Sequence, residues 1–295
     1  GAAGAEEEEE EEGALDDAGA EDGGDAARDG TAAPPVPIVD DGALRLWHKL
    51  DCSFRRPKAH FRLDLTTPAA YQSPGAAVLA HLFAQLISDE LNEYSYHAQV
   101  AGLDYLVSNT SSGLSIRVEG YSHRLPLLLA KVVARLAEAQ LCPERFAVQL
   151  DLVRRGYVNF FSDDPIRHAA YNVTHLLELP RWHVSEYLAF ASNAAACSHA
   201  ALVAFARPGG ALLAQTFAEA LWHGNTSAAD AADATRGALA ALHGAPLPLS
   251  QRPAPRLLQL PVGVEVVVRQ HASLLGAESA RHANPDETNS AVEVY

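Results

Sequence analysis

A mixed α/β (α+β) fold, with a mostly antiparallel sheet packed on a layer of helices and a truncated second domain after it, is what this 295-residue sequence predicts. Three observations carry that prediction. Phe61, Leu63 and Leu65 alternate with His60, Arg62 and Asp64, the period of two of a strand with one buried face. Residues 103–108 and 114–119 form two strand-like runs joined by a polar turn at Ser111, Ser112 and Gly113, which is a hairpin pattern. Over residues 73–100 and again from 126 to 207, apolar side chains instead recur at steps of three and four, the spacing of amphipathic helices.

Residues 1–41 open the chain with fifteen acidic side chains against Arg28 alone, a net charge of −14 that supplies nearly all of the −15 of the whole chain. The Glu6 to Glu12 run and its Gly, Ala and Asp surroundings have too little apolar surface to offset chain entropy, so this segment is expected to be disordered. Its role is either that of a solvated insert or that of a docking site for a basic partner. From Gly42 onward the chain carries 21 basic and 22 acidic residues, so the acidity belongs to the tail and does not steer substrates.

Pro34, Pro35 and Pro37 close the tail. Apolar stretches follow near 44–50 and 59–65, the second bracketed by Pro57 and Pro68. Ser73 and Pro74 read as cap and first turn of a long helix to about Val100, with Leu79, Leu82, Phe83, Leu86, Ile87 and Leu91 as its core stripe and Gly102 after its end. Helical spacing resumes over 126–138, from Pro143 to about Phe160, and over 166–178, 183–195 and 198–207. A strand is predicted at 217–222 before Gly224, and a helix at 227–242 from its alanine content. Residues 244–256, with prolines at 246, 248, 253 and 255, read as a linker. Beyond it 257–260, 264–269 and 290–295 are strand-like, too few to bury a core, and are assigned to a second domain cut short. The main domain is accordingly placed at 42–243 and the truncated one at 257–295.

Catalytic patterns are scarce. Thirteen histidines invite a search for zinc, yet no His-x-x-Glu-His helix occurs. His183-Val184-Ser185-Glu186 ends in Tyr187 where a second imidazole is needed, and reads better as a helix start capped around Ser185 and Glu186. His81 has Gln85 one helical turn on, an amide in place of a ligand. Ser112-Gly113 is a turn and not a nucleophile elbow, and no Gly-rich phosphate loop follows a strand. Arg55, Arg56 and Lys58, flanked by Phe54 and Phe61, are the single basic cluster near aromatics, which argues against nucleic-acid binding. His223-Gly224-Asn225-Thr226 reads as a strand end, a glycine turn and an Asn or Thr cap. Cys52, Cys142 and Cys197 stand far apart and suit a reducing, cytoplasmic compartment. No apolar run reaches the roughly 18 to 20 residues of a membrane span, so a soluble chain with no membrane partner is expected. The lack of any Met, with a start inside an acidic run, suggests a fragment.

Six short words in order carry a family resemblance: Leu46-Trp47-His48-Lys49, Pro57-Lys58-Ala59, Leu91-Asn92-Glu93-Tyr94, Ala101-Gly102-Leu103-Asp104-Tyr105, the run from Gly120-Tyr121-Ser122-His123 through Arg124 to Leu128, and His223-Gly224-Asn225. Through them the sequence resembles the M16 (inverzincin) metallopeptidases of the insulysin and nardilysin type, collinear from about Val39 to Tyr295. Residues 125–128 and 289–295 look closer to nardilysin. The resemblance implies a four-domain clamshell with zinc in the first domain, and this chain looks like the third domain plus the start of the fourth. The helix holding His81 and Gln85 is similar to the zinc helix of the first domain but lacks its ligands, so no catalytic, cofactor-binding or metal residue is assigned. By the same resemblance the chain is expected to be a non-catalytic half of a zinc metalloendopeptidase that encloses peptide substrates. Zinc belongs to the parent enzyme, and the partner is the N-terminal catalytic half of the same polypeptide, with a homodimer left open. The competing reading is a stand-alone peptide- or protein-binding scaffold derived from such a peptidase.

Overall fold

A computed structural model describes residues 33–254, 256–268, 286 and 288–294. Its centre is a seven-stranded, mostly antiparallel sheet. The strands are β1 (Val36–Asp40), β2 (Leu44–Leu50), β3 (Lys58–Thr66), β4 (Leu103–Asn109), β5 (Gly113–Tyr121) and β7 (Gln215–Gly224), in the order β1-β2-β7-β3-β5-β4, with the two-residue β8 (Ala245–Pro246) beside β7. A second pairing joins β6 (Glu178–Leu179) to β9 (Arg256–Leu257).

The alternation in β3 sets the two faces of the sheet. Ala59, Phe61, Leu63 and Leu65 are buried while His60 and Arg62 are exposed. β7 runs antiparallel to β3, with Phe61 opposite Trp222, and parallel to β2, with Leu46 opposite Ala220. The Phe61 and Trp222 rings stand 4.8 Å apart in the core.

Helix α1 (Pro74–Val100) covers that apolar face. Ser73 Oγ accepts from the Ala76 amide at 3.1 Å, and Pro74 fills the first turn, where an amide would have no partner. α1 is buried on most of its circumference from Ala76 to Ile87 because helices pack on its far side as well. These are α3 (Pro143–Phe160), α5 (Val184–Ser192) and α6 (His199–Ala206). α2 (Leu125–Ala137) buries Leu125, Leu129, Val132, Val133 and Leu136, one stripe at helical spacing, and packs on α8 (Ala228–Leu239). α4 (Pro165–Leu177) is peripheral, with no fully buried residue. The short α7 (Ala211–Ala214) leads into β7.

The predicted hairpin is present as β4 and β5. Four expectations change. Val36–Asp40, assigned to the structureless tail, pair with β2 as β1, while residues 1–32 lie outside the described residues. The stretch read as a linker packs in part on β7: Leu247 is buried, its amide donates to Thr216 O at 2.9 Å, and Arg252 stacks 3.3 Å over the Phe217 ring. The predicted helix over 227–242 ends as α8 at Leu239 and tightens to a 3-10 turn over Ala240–Leu242. Of the C-terminal strands, only Arg256–Leu257 pairs; 258–268 and 288–294 are irregular, and Arg269 and Tyr295 lie outside the described residues. Val264, Val266, Val267 and Val268 favour strands, but no neighbour among the described residues takes their backbone hydrogen bonds, and these side chains are exposed.

Candidate functional site

His81 and Gln85 lie one turn apart on α1, where the buried rows of the helix set their direction. The Gln85 amide nitrogen can only donate, so its 3.3 Å contact makes His81 Nε2 an acceptor. His81 Nδ1–H then donates to Tyr157 Oη at 3.2 Å. The Tyr157 ring packs 5.6 Å from that of Tyr187, whose hydroxyl shares a 2.8 Å hydrogen bond with Tyr71 Oη.

This network is uncharged near neutral pH. Burial holds His81 below its ordinary value and pushes the Tyr157 phenol far above its own. Burial, then the Tyr71 hydrogen bond, does the same to Tyr187, and burial pushes the Cys197 thiol up to about 11. The group contains neither a nucleophile nor a base poised for neutral pH. Zinc does not fit it: one imidazole already spends both nitrogens, and its neighbour is an amide. Among the described residues no group of three His, Cys, Asp or Glu side chains could hold a metal ion. The sequence reading found His81 and Gln85 but missed Tyr71, Tyr157 and Tyr187, which arrive from three other segments and carry no local signal.

His183 and Glu186 make a helix start, with the cap shifted from the expected Ser185. His183 is itself the N-cap: its Nδ1 accepts from the Ser185 amide at 3.2 Å, and Glu186 Oε2 accepts from the His183 amide at 2.8 Å. At the other turn, Gly224 (φ +130°) lets the chain pass against β3, and Asn225 N donates to Lys58 O at 2.9 Å. The cap of α8 is Ser227, whose Oγ accepts from Asp230 N at 3.1 Å, and not Asn225 or Thr226. Thr226 O instead accepts from His48 Nε2 at 2.7 Å. Phe54 is exposed and Phe61 is in the core, so the two do not flank a common surface with Arg55 and Arg56. Ser112 and Gly113 sit in the β4–β5 turn as expected.

The open face of the sheet is largely polar. It carries Arg62, His60, Arg117, Glu119, Asp104 and Glu219, cross-linked by a His60–Glu119 pair at 3.0 Å and by Trp47 Nε1 donating to Glu219 at 3.1 Å. At one end Lys58, His60, Gln99, Asp104 and Glu119, with Gly102, Leu103 and Gly120, line a cleft of about 380 Å³. Such a surface presents donors and acceptors of both signs. No helix among the described residues is long and apolar enough to cross a membrane.

Residues 24–190 match the family model described as the middle or third domain of peptidase M16. The chain is 34% identical over 267 residues to the peroxisomal insulin-degrading enzyme-like 1 of Arabidopsis thaliana, covering 88% of this chain and 26% of that protein. It is 29% identical to a nardilysin-like protein of the same plant, covering 89% and 24%, and 34% identical to human insulin-degrading enzyme, covering 52% and 15%. The chain thus spans about a quarter or less of these relatives. Pitrilysin shares the fold at a TM-score of 0.60 and 20% identity, over 71% of this chain and 22% of that one. A structure titled as a peptidase M16 inactive domain from Pseudomonas fluorescens aligns at a TM-score of 0.50 and 16% identity, over 72% and 52%. With more than half of its residues inside that family model, the chain belongs to the M16 peptidases, as their middle, or third, domain.

Proposed function

We propose that this chain is a non-catalytic stretch of a zinc-dependent metalloendopeptidase, and that its open sheet face is one wall of the chamber that encloses peptide substrates. In this reading the third domain occupies 42–243 with β1 joined to its edge, 244–256 leads out of it, and 257–295 begins a fourth domain. The parent works in a reducing, soluble compartment, its zinc lies in the N-terminal half, and the acidic tail is a solvated insert. The observation that carries the proposal is the chemistry around His81: on the helix that resembles the zinc helix both imidazole nitrogens are taken by Tyr157 and Gln85, and no ligand set stands among the described residues. The broad polar face of the sheet, mixed in charge, suits an extended peptide of varied sequence better than a single small ligand.

The test is complementation. The chain alone is expected to bind no stoichiometric zinc by elemental analysis and to leave a fluorogenic peptide intact, yet to restore cleavage when mixed with the cognate N-terminal half. Tight zinc at His183 and Glu186, or cleavage by the chain alone, would refute it.

A further inference from the structure

The corner between α4 and α5 gathers three imidazoles that the peptidase reading leaves unused. His168 and His175 lie two turns apart on α4, and the His175 ring centroid is 5.3 Å from that of His183. The Nδ1 atoms of His168 and His175 are shielded from solvent and have no hydrogen-bond partner among the described residues. His183 differs from both. A backbone amide can only donate, so the Ser185 N–H at 3.2 Å requires an unprotonated Nδ1 on His183. Ser185 Oγ lies 2.7 Å from the same atom.

We propose that His183 is an acid-sensitive clasp: as a neutral imidazole it caps α5, and its protonation releases the corner where α4, α5 and the β6–β9 seam meet. Protonation puts a hydrogen on the atom that now accepts, so the cap bond is lost. The new cation also sits at a helix N-terminus, whose partial positive charge disfavours it. The charged and titratable neighbours decide how far this goes. His175 and His168 oppose a charge on His183, while Glu186 favours one, but Glu186 is already held by the His183 amide. Burial is the largest influence and keeps His183 below its ordinary value. Asp163, paired with Arg167, still favours a charge on His168, while Glu178 is paired with Arg181. Tyr171, from α4, accepts from the Val184 amide at 2.9 Å and donates to Trp182 O, and Tyr187 is engaged with Tyr71; both phenols stay neutral. The effect reaches the seam because His175 is in the last turn of α4, and the next carbonyl but one, Leu177 O, accepts from the Leu258 amide at 2.7 Å.

Amide hydrogen exchange of the 295-residue chain at pH 7.5 and 5.5, corrected for the intrinsic rate at each pH, tests this. Protection over 184–188 is expected to fall about fivefold at the lower pH, the factor that loss of an ordinary helix cap gives, with a smaller fall over 165–179. α8, capped by Ser227, should not change. His183→Asn places a cap that does not titrate, and its protection over 184–188 should be the same at both pH values. Unchanged protection in the wild type, or an equal loss in His183→Asn, overturns the proposal. Should that variant not fold, an NMR titration of the wild-type imidazoles decides: a His183 midpoint below about 6.5 supports the clasp, and one at or above it overturns it.

Discussion

Thr235→Val separates a hydrogen bond from the packing around it. Thr235 is fully buried on α8, where its Oγ1 accepts from Trp222 Nε1 at 2.8 Å and donates to Ala231 O at 2.7 Å. Valine keeps the shape and removes the acceptor, leaving the indole N–H of the fully buried Trp222 without a partner. An orphaned buried donor costs about 1–3 kcal/mol, whereas the carbonyl of Ala231 retains its place in the helix. At about 2–4 °C per kcal/mol for a domain of this size, the melting temperature should drop by roughly 2–12 °C. Thr235→Ser keeps the hydroxyl and loses one methyl, about 1 kcal/mol, so it should melt above the valine variant. Scanning calorimetry with tryptophan fluorescence checks both. A valine variant within about 0.5 kcal/mol of wild type, or a serine variant less stable than valine, would refute the assignment of this bond as a core contact.

Gly224→Ala should cost more than about 3 kcal/mol or prevent folding, since φ is +130° and the new Cβ would lie 2.5 Å from Ala59 Cα and Lys58 O; Gly237→Ala, in open space on α8, should gain up to about 1 kcal/mol, and thermal melts rank the pair. Arg252→Ala removes the stack on Phe217 and a 3.2 Å bond to Gly42 O, so chymotrypsin should cut within 245–260 about five- to tenfold faster, and an unchanged rate would show that the docking contributes nothing. Stability should be flat above pH 7 and fall between about pH 6.5 and 5: burial holds His81, His168 and His183 below their ordinary value, so the unfolded chain takes up protons first as pH drops. Urea midpoints at pH 8.5, 7.5 and 5.5 measure this, above the range where Asp41, held low by the Ala43 and Leu44 amides, would add its own loss.

The elements legible in the sequence were those whose burial follows one local period. β3 was visible because its inward and outward residues alternate without a break, and α1 because Ser73 and Pro74 mark its start. Where the partner decides, local pattern failed. Val36–Asp40 carry a proline and an acid end, yet β2 recruits them as an edge strand, where a proline is tolerated. The prolines after Gly244 suggested a linker, with no local sign that Leu247 would be buried beside β7 or that Arg252 would stack on Phe217. The valines of 264–268 have the composition of a strand, yet they pair with no strand among the described residues. At the candidate site the absence of a zinc pattern could be read directly; the reason His81 is spent could not, because Tyr157 is 76 residues away.

The place of β7 between β2 and β3 has a consequence for biosynthesis. Trp47 meets Glu219 across 172 residues, so a nascent polypeptide must keep two early ribbons apart until the last inner strand leaves the ribosome. Until then both ribbons present raw inner edges, the kind that invite mispairing and chaperone capture. Truncations ending before Gln215 should accordingly accumulate as insoluble material, while those ending after Leu247 should not.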